Sequence, residues 1–424
     1  MVYIITCKLV IKMEKVNSTL QKSILIITIH FPPMRGGVET MNWQYMDFIE
    51  SQMHLKAIVL TYDTRYKEDF EDYWQKNKVI RIKVNKRILQ FMTSLKIRLD
   101  SFPEKVAYFL FHLFYLSKGS IIFYDTIKHI DVILANGGPI ETIFGYFLSI
   151  ILKKKLLIRW RTSVNFYLTN PINNFLLKVC LKRATTIVVN GRDIEEDIYK
   201  LLENKKTPKI LSAKQTVDTA FFYPVSPKLA RNTLQLPQDK FIILFAAALN
   251  ETKFCDIIVN SAYQIIGKNK SSFYIFIGQG PLEVVVKELA ASFPGNILFI
   301  NYLVDPQTLS LYINASNITV GSADIYYPGN FILESLACGT PVLLFNRSIH
   351  LEKRNDVLKF KIPLPHIFIT DYSNNGLLET LLVKRKLIES VKNNSQLVKT
   401  AQQYILQNYE KYKVLTEEFN EFNI

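Results

Sequence analysis

Cysteine is scarce and unpatterned in this chain of 424 residues. The four present are Cys7, Cys180, Cys255 and Cys338. None lies in a CxxC pair or near a histidine at metal-ligand spacing, which excludes a disulfide scaffold and reads as reduced core thiols; no metal site is expected. Only 15 Gly and 16 Pro are present, too few for a collagen-like or linker-dominated chain. No apolar run approaches the roughly 20 residues of a membrane span. The best are Val106–Leu116, broken by His112, and Ile143–Leu152, ended by Lys153, Lys154 and Lys155. Both read as buried or interfacial helices. There is no GxxxxGK[ST], and no GxGxxG with a suitably placed acidic residue beyond it, so P-loop and nicotinamide sites are not expected. No aromatic-interleaved RNP or helix-turn-helix pattern supports a nucleic-acid partner.

What is present is ample core material. Hydrophobic residues make up 49% and charged residues 21%, with 28 Phe and 22 Tyr. That excludes a mostly disordered chain. At roughly 150 residues per domain, two to three domains are expected. The net charge of +15 is uneven: residues 1–200 hold 29 basic and 18 acidic side chains, and residues 201–424 hold 23 and 19. The basic half suits phosphorylated substrates or an anionic lipid surface. Residues 81–98 mix Arg81, Lys83, Lys86, Arg87, Lys96 and Arg98 with Ile88, Leu89, Phe91, Met92, Leu95 and Ile97, as an interfacial helix would. The opening MVYIITCKLVIKM has no small-residue cleavage site and makes a poor signal peptide. Met13 offers a second start, and residues 1–12 are expected to be dispensable within an extension spanning 1–22.

Twelve short apolar runs recur between helical stretches. The first six are 24–30, 55–62, 78–84, 131–136, 155–160 and 185–190; the second six are 241–249, 272–278, 296–301, 317–322, 340–345 and 366–371. Many are continuous rather than alternating, which suits parallel strands covered on both faces. Strand–helix alternation with short connections predicts doubly wound α/β sheets. Prolines 208, 224, 227 and 237 punctuate the interval between the two series. The expected division is an N-terminal domain over 23–225, a linker over 226–238, a C-terminal domain over 239–395 and a helical segment over 396–424.

Four segments could carry chemistry. In HFPPMRGGVET, Gly36 and Gly37 precede a helix, where main-chain N–H groups can approach an anion. In FAAALNETKFCD, Lys253 follows a buried strand at the edge where open α/β sheets bind ligands. In IGQGPLE, Gly278 and Gly280 make a tight strand-to-helix turn, with Pro281 suited to the first helical position. In DIYYPGNFILESLACGTPV, Gly329 and Asn330 precede a helix over 331–338, with Asn330 as its cap. Glu334 sits one turn inside among apolar neighbours, where a carboxylate wants donor partners such as ligand hydroxyls.

PPMRGGVE, TVDTAFFYP, ALNETKF, FIGQGP and GNFILESLACGTPV, in that order, resemble the retaining GT-B glycosyltransferases of group 1, the large family with bacterial polysaccharide and lipopolysaccharide transferases. The resemblance runs from about residue 22 to the end. It implies two Rossmann-like doubly wound parallel-sheet domains facing across a cleft, the second binding a nucleotide diphosphate sugar and the first a glycan or lipid-linked acceptor. It implies no cofactor and no metal. By motif, Gly36 and Gly37 would meet the donor diphosphate or sugar, Lys253 would hold the diphosphate, and the N–H groups of Asn330 and Phe331 at the Gly329 turn would approach it. Glu334 matches the glutamate that binds ribose hydroxyls. The departures are equally specific. The family's first glutamate falls at Tyr326, with Asp324 nearby; its arginine falls at Ala248 and its glycine after the lysine at Phe254. The turn contacting the base reads Phe299-Ile300-Asn301, and the cleft histidine falls at Arg161. The expectation is a metal-independent, retaining sugar transfer in cell-surface polysaccharide synthesis, in the cytoplasm or on the inner membrane face. The alternative is a GT-B subunit that has lost turnover and serves as a binding partner.

Overall fold

The structure, a computed structural model, describes residues 22–29, 31, 37–53, 55–63, 70–74, 77–84, 87, 102–161, 171–203, 208–268, 270–302, 304–323, 328–348, 360–371 and 373–422. The expected extension over 1–12 lies outside them. The chain divides into two compact units, Met1–Ala213 with Glu417–Ile424, and Lys214–Thr416.

The first unit is built on β1 (Ser23–Ile27), β2 (Lys56–Asp63), β3 (Phe70–Trp74), β4 (Asn77–Lys83), β5 (Val132–Gly137), β6 (Lys155–Trp160), β7 (Thr186–Val189) and β8 (Lys209–Ser212). They form one sheet in the order β3-β4-β2-β1-β5-β6-β7-β8. Every pair is parallel except β3 with β4. β5 is buried at every position because helices cover both faces of the sheet. The helix Phe102–Ile122 covers β2 and β4, and Pro139–Ile151 covers β5 and β6. Residues 417–422 close this unit. Glu418 accepts from Arg159 Nε at 2.7 Å and Nη2 at 3.2 Å, with both side chains buried. Phe419 stacks obliquely on Tyr45 and Phe48, with ring centres 5.3 and 5.2 Å away.

The segment expected as an interfacial helix over 81–98 begins instead within a strand. Arg81 and Lys83 belong to β4, and Arg81 is buried, its guanidinium 5.7 Å from the Phe31 ring centre. The alternation of VIRIK favours extended backbone, so Arg81 is not offered to a lipid surface. Residues 88–98 lie outside the described residues.

The second unit is built on β9 (Phe241–Ala246), β10 (Ser272–Ile277), β11 (Ile297–Ile300), β12 (Ile318–Ala323), β13 (Val342–Ser348) and β14 (Ile367–Thr370). Its sheet runs β11-β10-β9-β12-β13-β14 and is parallel throughout. Successive residues of β9 enter different cores: Ile243 and Phe245 join one cluster, Ile242 and Leu244 the other. That is the period-two consequence of a sheet buried on both faces.

The division between units falls at 213/214, twelve residues before the expected 225/226. Residues 214–225 are tied into the second unit by partners distant in sequence. Val217 N–H donates to Tyr409 O at 2.8 Å, and Lys411 N–H to Val217 O at 2.9 Å. Buried Asp218 pairs with Lys411 Nζ at 2.7 Å. Val225 N–H donates to Asn314 Oδ1 at 2.8 Å. The C-terminal segment is two helices, Ser395–Asn408 and Lys411–Phe422, and the second passes from one unit to the other at 416/417. Among the described residues, no helix is long and apolar enough to cross a membrane.

Candidate functional site

In an open α/β sheet the ligand crevice lies at the carboxyl edge, where successive connections leave in opposite directions. In the second unit that point is between β9 and β12. The candidate donor residues stand on the segments leaving this edge: Lys253 after β9, Gly278 and Gly280 after β10, Asn301 after β11, and Gly329 to Glu334 after β12.

After β9 the chain makes a short 3-10 turn, Glu251–Lys253, capped by Asn250. The Asn250 side chain accepts from Lys253 N–H at 3.0 Å and from the Thr252 hydroxyl at 2.7 Å. Lys253 is half-buried at the end of this turn. Phe254 follows at φ +62°, the left-handed region that favours glycine. Here a phenylalanine holds that conformation because its ring is fully buried, edge-on to Phe345 at 5.0 Å. Packing thus supplies the backbone turn that glycine would give for free. Ala248, in the position of the family's arginine, is exposed.

The β10 turn admits only glycine. Gly278 lies at φ +148° and Gly280 at φ +159°. A Cβ at Gly278 would stand 2.0 Å from Ala247 O, and one at Gly280 2.5 Å from Leu249 O. This close approach lets Leu249 N–H donate to Gln279 O at 3.0 Å, locking the two loops together. Pro281 lies in the turn, two residues ahead of the helix Glu283–Ser292, rather than at its first position. Asn301 is exposed, and its Nδ2 donates to Glu283 Oε1 at 3.5 Å.

After β12 the helix Asn330–Ala337 begins. Its cap is Gly329, not Asn330, which occupies the first helical position. Ile332 and Leu333 N–H both donate to Gly329 O, at 3.1 and 3.3 Å. The N–H groups of Asn330 and Phe331 therefore stand ahead of the first helical bonds, at the positive end of the helix dipole. Glu334 is 8% exposed. Its carboxylate makes no hydrogen bond or ion pair with any described residue, and burial pushes it up to about 7. Asp324 and Tyr326 lie outside the described residues, as does Gly36. Also among the described residues, no group of three or more His, Cys, Asp or Glu is placed to hold a metal ion.

Residues 228–353 match the family model of glycosyl transferases group 1. That segment contains the whole carboxyl-edge constellation from Lys253 to Glu334. A curated relative, D-inositol 3-phosphate glycosyltransferase of Acidothermus cellulolyticus, is 29% identical over 140 residues, 30% of this chain. The match spans 31% of that relative's length. Solved structures extend the likeness across nearly the whole chain. Sucrose-phosphate synthase of Thermosynechococcus elongatus aligns with a TM-score of 0.69 at 16% identity, covering 95% of this chain and 98% of its own. HepE of Anabaena, in complex with UDP, aligns at 0.65 and 14% identity, covering 95% and 99%. These neighbours give the fold, a two-unit α/β arrangement of the GT-B kind.

Candidate residues in the first unit are fewer. Gly37 opens the helix Gly37–Phe48 after β1, and Arg161 follows β6. Arg161 N–H donates to Gly137 O at 2.7 Å, and its guanidinium lies 5.7 Å from the Tyr45 ring centre. The sheet's switch point is between β1 and β5. There the structure reveals a clamp absent from the expected site. Buried Glu141 accepts from Ile29 N–H at 3.3 Å and from Gly138 N–H at 2.9 Å, joining the β1 and β5 loops. Asn42 bridges the same strands, donating to Thr28 Oγ1 at 3.2 Å and accepting from Asn136 Nδ2 at 2.8 Å. A signal was available in the sequence, since Pro139 and Glu141 hold the first and third helical positions, where Pro and a capping carboxylate belong.

Proposed function

We propose that this chain transfers a sugar, with retention, from a nucleoside-diphosphate sugar to a glycan or lipid-linked glycan in cell-surface polysaccharide synthesis, without a metal. The observation that carries the reading is Glu334. A buried carboxylate with no partner among the described residues, one turn inside a helix at the sheet's switch point, suits the two hydroxyls of a ribose. The ribose diol would donate to it and restore its ionised state. The diphosphate would then meet the Asn330 and Phe331 N–H groups and the Lys253 ammonium. As the bond to the sugar breaks, negative charge grows on the leaving diphosphate, and fixed donors aimed there lower the barrier. Uridine is the first base to test, since HepE of Anabaena was captured with UDP.

The acceptor side of the reading is a lipid-borne glycan on an anionic surface. On the helix Phe102–Ile122, Leu110, Phe114 and Ile121 are exposed; on the adjoining helix Pro139–Ile151, Phe147, Ile150 and Ile151 are exposed, followed by Lys153, Lys154 and Lys155. Apolar groups rimmed by lysines suit an interfacial contact with acidic headgroups. Vesicle pelleting that favours anionic over neutral lipid, and that falls with salt, is the expected result; equal partitioning removes this part of the reading.

A thermal-shift panel of UDP-, GDP-, ADP-, CMP- and dTDP-linked compounds tests the donor. A ligand at 100 times its dissociation constant adds about 2.7 kcal/mol to stability. Stabilisation by one base series, weakened in Lys253→Ala, supports the reading; no response to any overturns it. Binding without release of nucleoside diphosphate would favour the non-enzymatic subunit, which the exposed Ala248 at the arginine position also suits.

A further inference from the structure

At the opposite edge of the second unit's sheet lies a cavity of about 470 Å³. It is bordered by Lys240, immediately before β9, and Asn317, immediately before β12, so it sits at the amino ends of the strands, away from the donor residues. Its lining holds five cations, Lys228, Arg231, Lys240, Arg385 and Lys392, against two acids, Asp239 and Glu389. Glu389 is engaged by Arg385 Nε at 3.1 Å.

Two of the cations are buried, and neither makes an ion pair with a carboxylate; Asp239 acts on Arg231 only through its field, partly offsetting burial. Lys392 is 6% exposed and Arg231 8% exposed. Lys392 Nζ donates to Thr340 Oγ1 at 2.5 Å, while the Thr340 hydroxyl donates onward to Ile313 O at 2.9 Å. An ammonium has three N–H groups, so two of those on Lys392 have no partner among the described residues. Arg231 spends four of its five N–H groups on uncharged oxygens: Ala315 O at 2.9 Å, Gln238 O at 2.8 Å, Lys240 O at 3.2 Å and Asn317 Oδ1 at 2.8 Å. Isolated buried charges are strongly unfavourable unless something opposite in sign meets them. Burial lowers Lys392 to about 7, with Cys338 acting against the shift and the Arg231 charge acting with it.

We propose that this cavity is a second ligand site, and that it binds a small phosphorylated metabolite with its phosphate on Lys392 and Arg231. One phosphate dianion matches two buried monocations, and charge-assisted N–H···O⁻ bonds are the strong ones. Exposed Lys228 stands at the rim to draw the anion in, and Lys240, whose Nζ donates to Gly295 O at 2.5 Å, adds its charge beside it. The volume lies within the roughly 300–1,000 Å³ of small-molecule sites, so there is room for an organic body beyond the phosphate. The site stands independently of the donor reading, because it shares no residue with it.

The test is calorimetric binding of inorganic phosphate and of glucose 6-phosphate at constant ionic strength. The parent protein should bind both, and the hexose phosphate more tightly. Lys392→Met keeps the length of the side chain and removes the charge; it should weaken both ligands at least tenfold. Lys253→Ala, in the donor site, should leave both unchanged. Should Lys392→Met fail to fold, Lys228→Ala combined with Lys240→Ala alters only the rim and should weaken binding severalfold. Unchanged binding in the foldable variant overturns the site. Loss of binding in Lys253→Ala assigns the phosphate to the donor edge and overturns it as well. Glucose 6-phosphate binding no tighter than phosphate overturns the metabolite class.

Discussion

Replacing Glu334 by Gln should stabilise the free protein and weaken its hold on nucleotide, and the two effects should part with pH. In the folded protein the Glu334 carboxyl is raised from 4.5 to about 7 by burial. A raised acid works against folding once it must ionise. Its penalty is absent below pH 4.5, grows between 4.5 and 7, and is complete above. At 1.36 kcal/mol for each pH unit of difference, the full penalty is about 3 kcal/mol. Gln carries no such charge, but its buried amide still lacks partners, at a cost of roughly 1–3 kcal/mol. The net expectation is Tm equal to or slightly below the parent at pH 5, and above it by up to a few degrees at pH 8, since each kcal/mol shifts Tm by roughly 2–4 °C for a unit of this size. Binding should move the other way. Hydrogen bonds to a charged group are worth roughly 1.5–3 kcal/mol, so Glu334→Gln should weaken a nucleoside-diphosphate sugar about 10- to 100-fold. The parent's affinity should also fall as pH drops below 7, where Glu334 takes up its proton, and the variant's should not. Calorimetric titration and thermal unfolding across pH 5–8 read both. A variant whose Tm, relative to the parent, does not rise between pH 5 and pH 8, or one that binds donor as tightly as the parent, refutes the reasoning.

Gly278→Ala should lower Tm by more than the equivalent of about 1 kcal/mol and weaken donor binding, because the new Cβ meets Ala247 O at 2.0 Å. Phe254→Gly relieves about 1–2 kcal/mol of left-handed backbone strain but empties a ring site worth about 3–5 kcal/mol, so denaturant unfolding should show a net loss. Arg159→Met strands Glu418 in the core and should destabilise the first unit by about 3–5 kcal/mol; Arg159→Met with Glu418→Leu should recover most of it. Ala248→Arg should tighten nucleotide binding at unchanged Tm, since the position is exposed beside the Lys253 turn.

The parallel sheets were legible because most strands buried on two faces are apolar runs with few polar interruptions. All twelve such runs became strands. The two strands without that signal were missed for physical reasons. β3, FEDYW, is an antiparallel edge strand with two acidic residues, and β8, KILS, is a four-residue edge strand with no buried position. The unit division was misplaced because prolines mark the chain locally, whereas residues 214–225 are held by partners such as Lys411, 193 residues beyond Asp218. The gathering of Lys253, Gly278, Gly280 and Glu334 at one sheet edge was readable because each follows a strand that the sequence marks. Glu141 gained meaning only when the sheet order brought the β1 and β5 loops together. The left-handed Phe254 was hidden because propensity argues against it, and burial against Phe345 overrides propensity. Nothing in the neighbouring sequence marks Lys392 or Arg231, whose burial comes from the packing at the sheet's amino edge.

The most direct measurement is release of nucleoside diphosphate from a panel of nucleotide sugars, with glycan and lipid-linked acceptors, by the full chain and by Lys253→Ala. Each variant is checked for unchanged Tm. Removal of one fixed donor at a developing anion typically costs about 10²–10³ in rate. The account predicts turnover with at least one donor, product of unchanged anomeric configuration, persistence in EDTA, and a loss of that order in Lys253→Ala. Turnover that Lys253→Ala leaves intact, or a parent that binds donor and never releases the diphosphate with any acceptor, contradicts it.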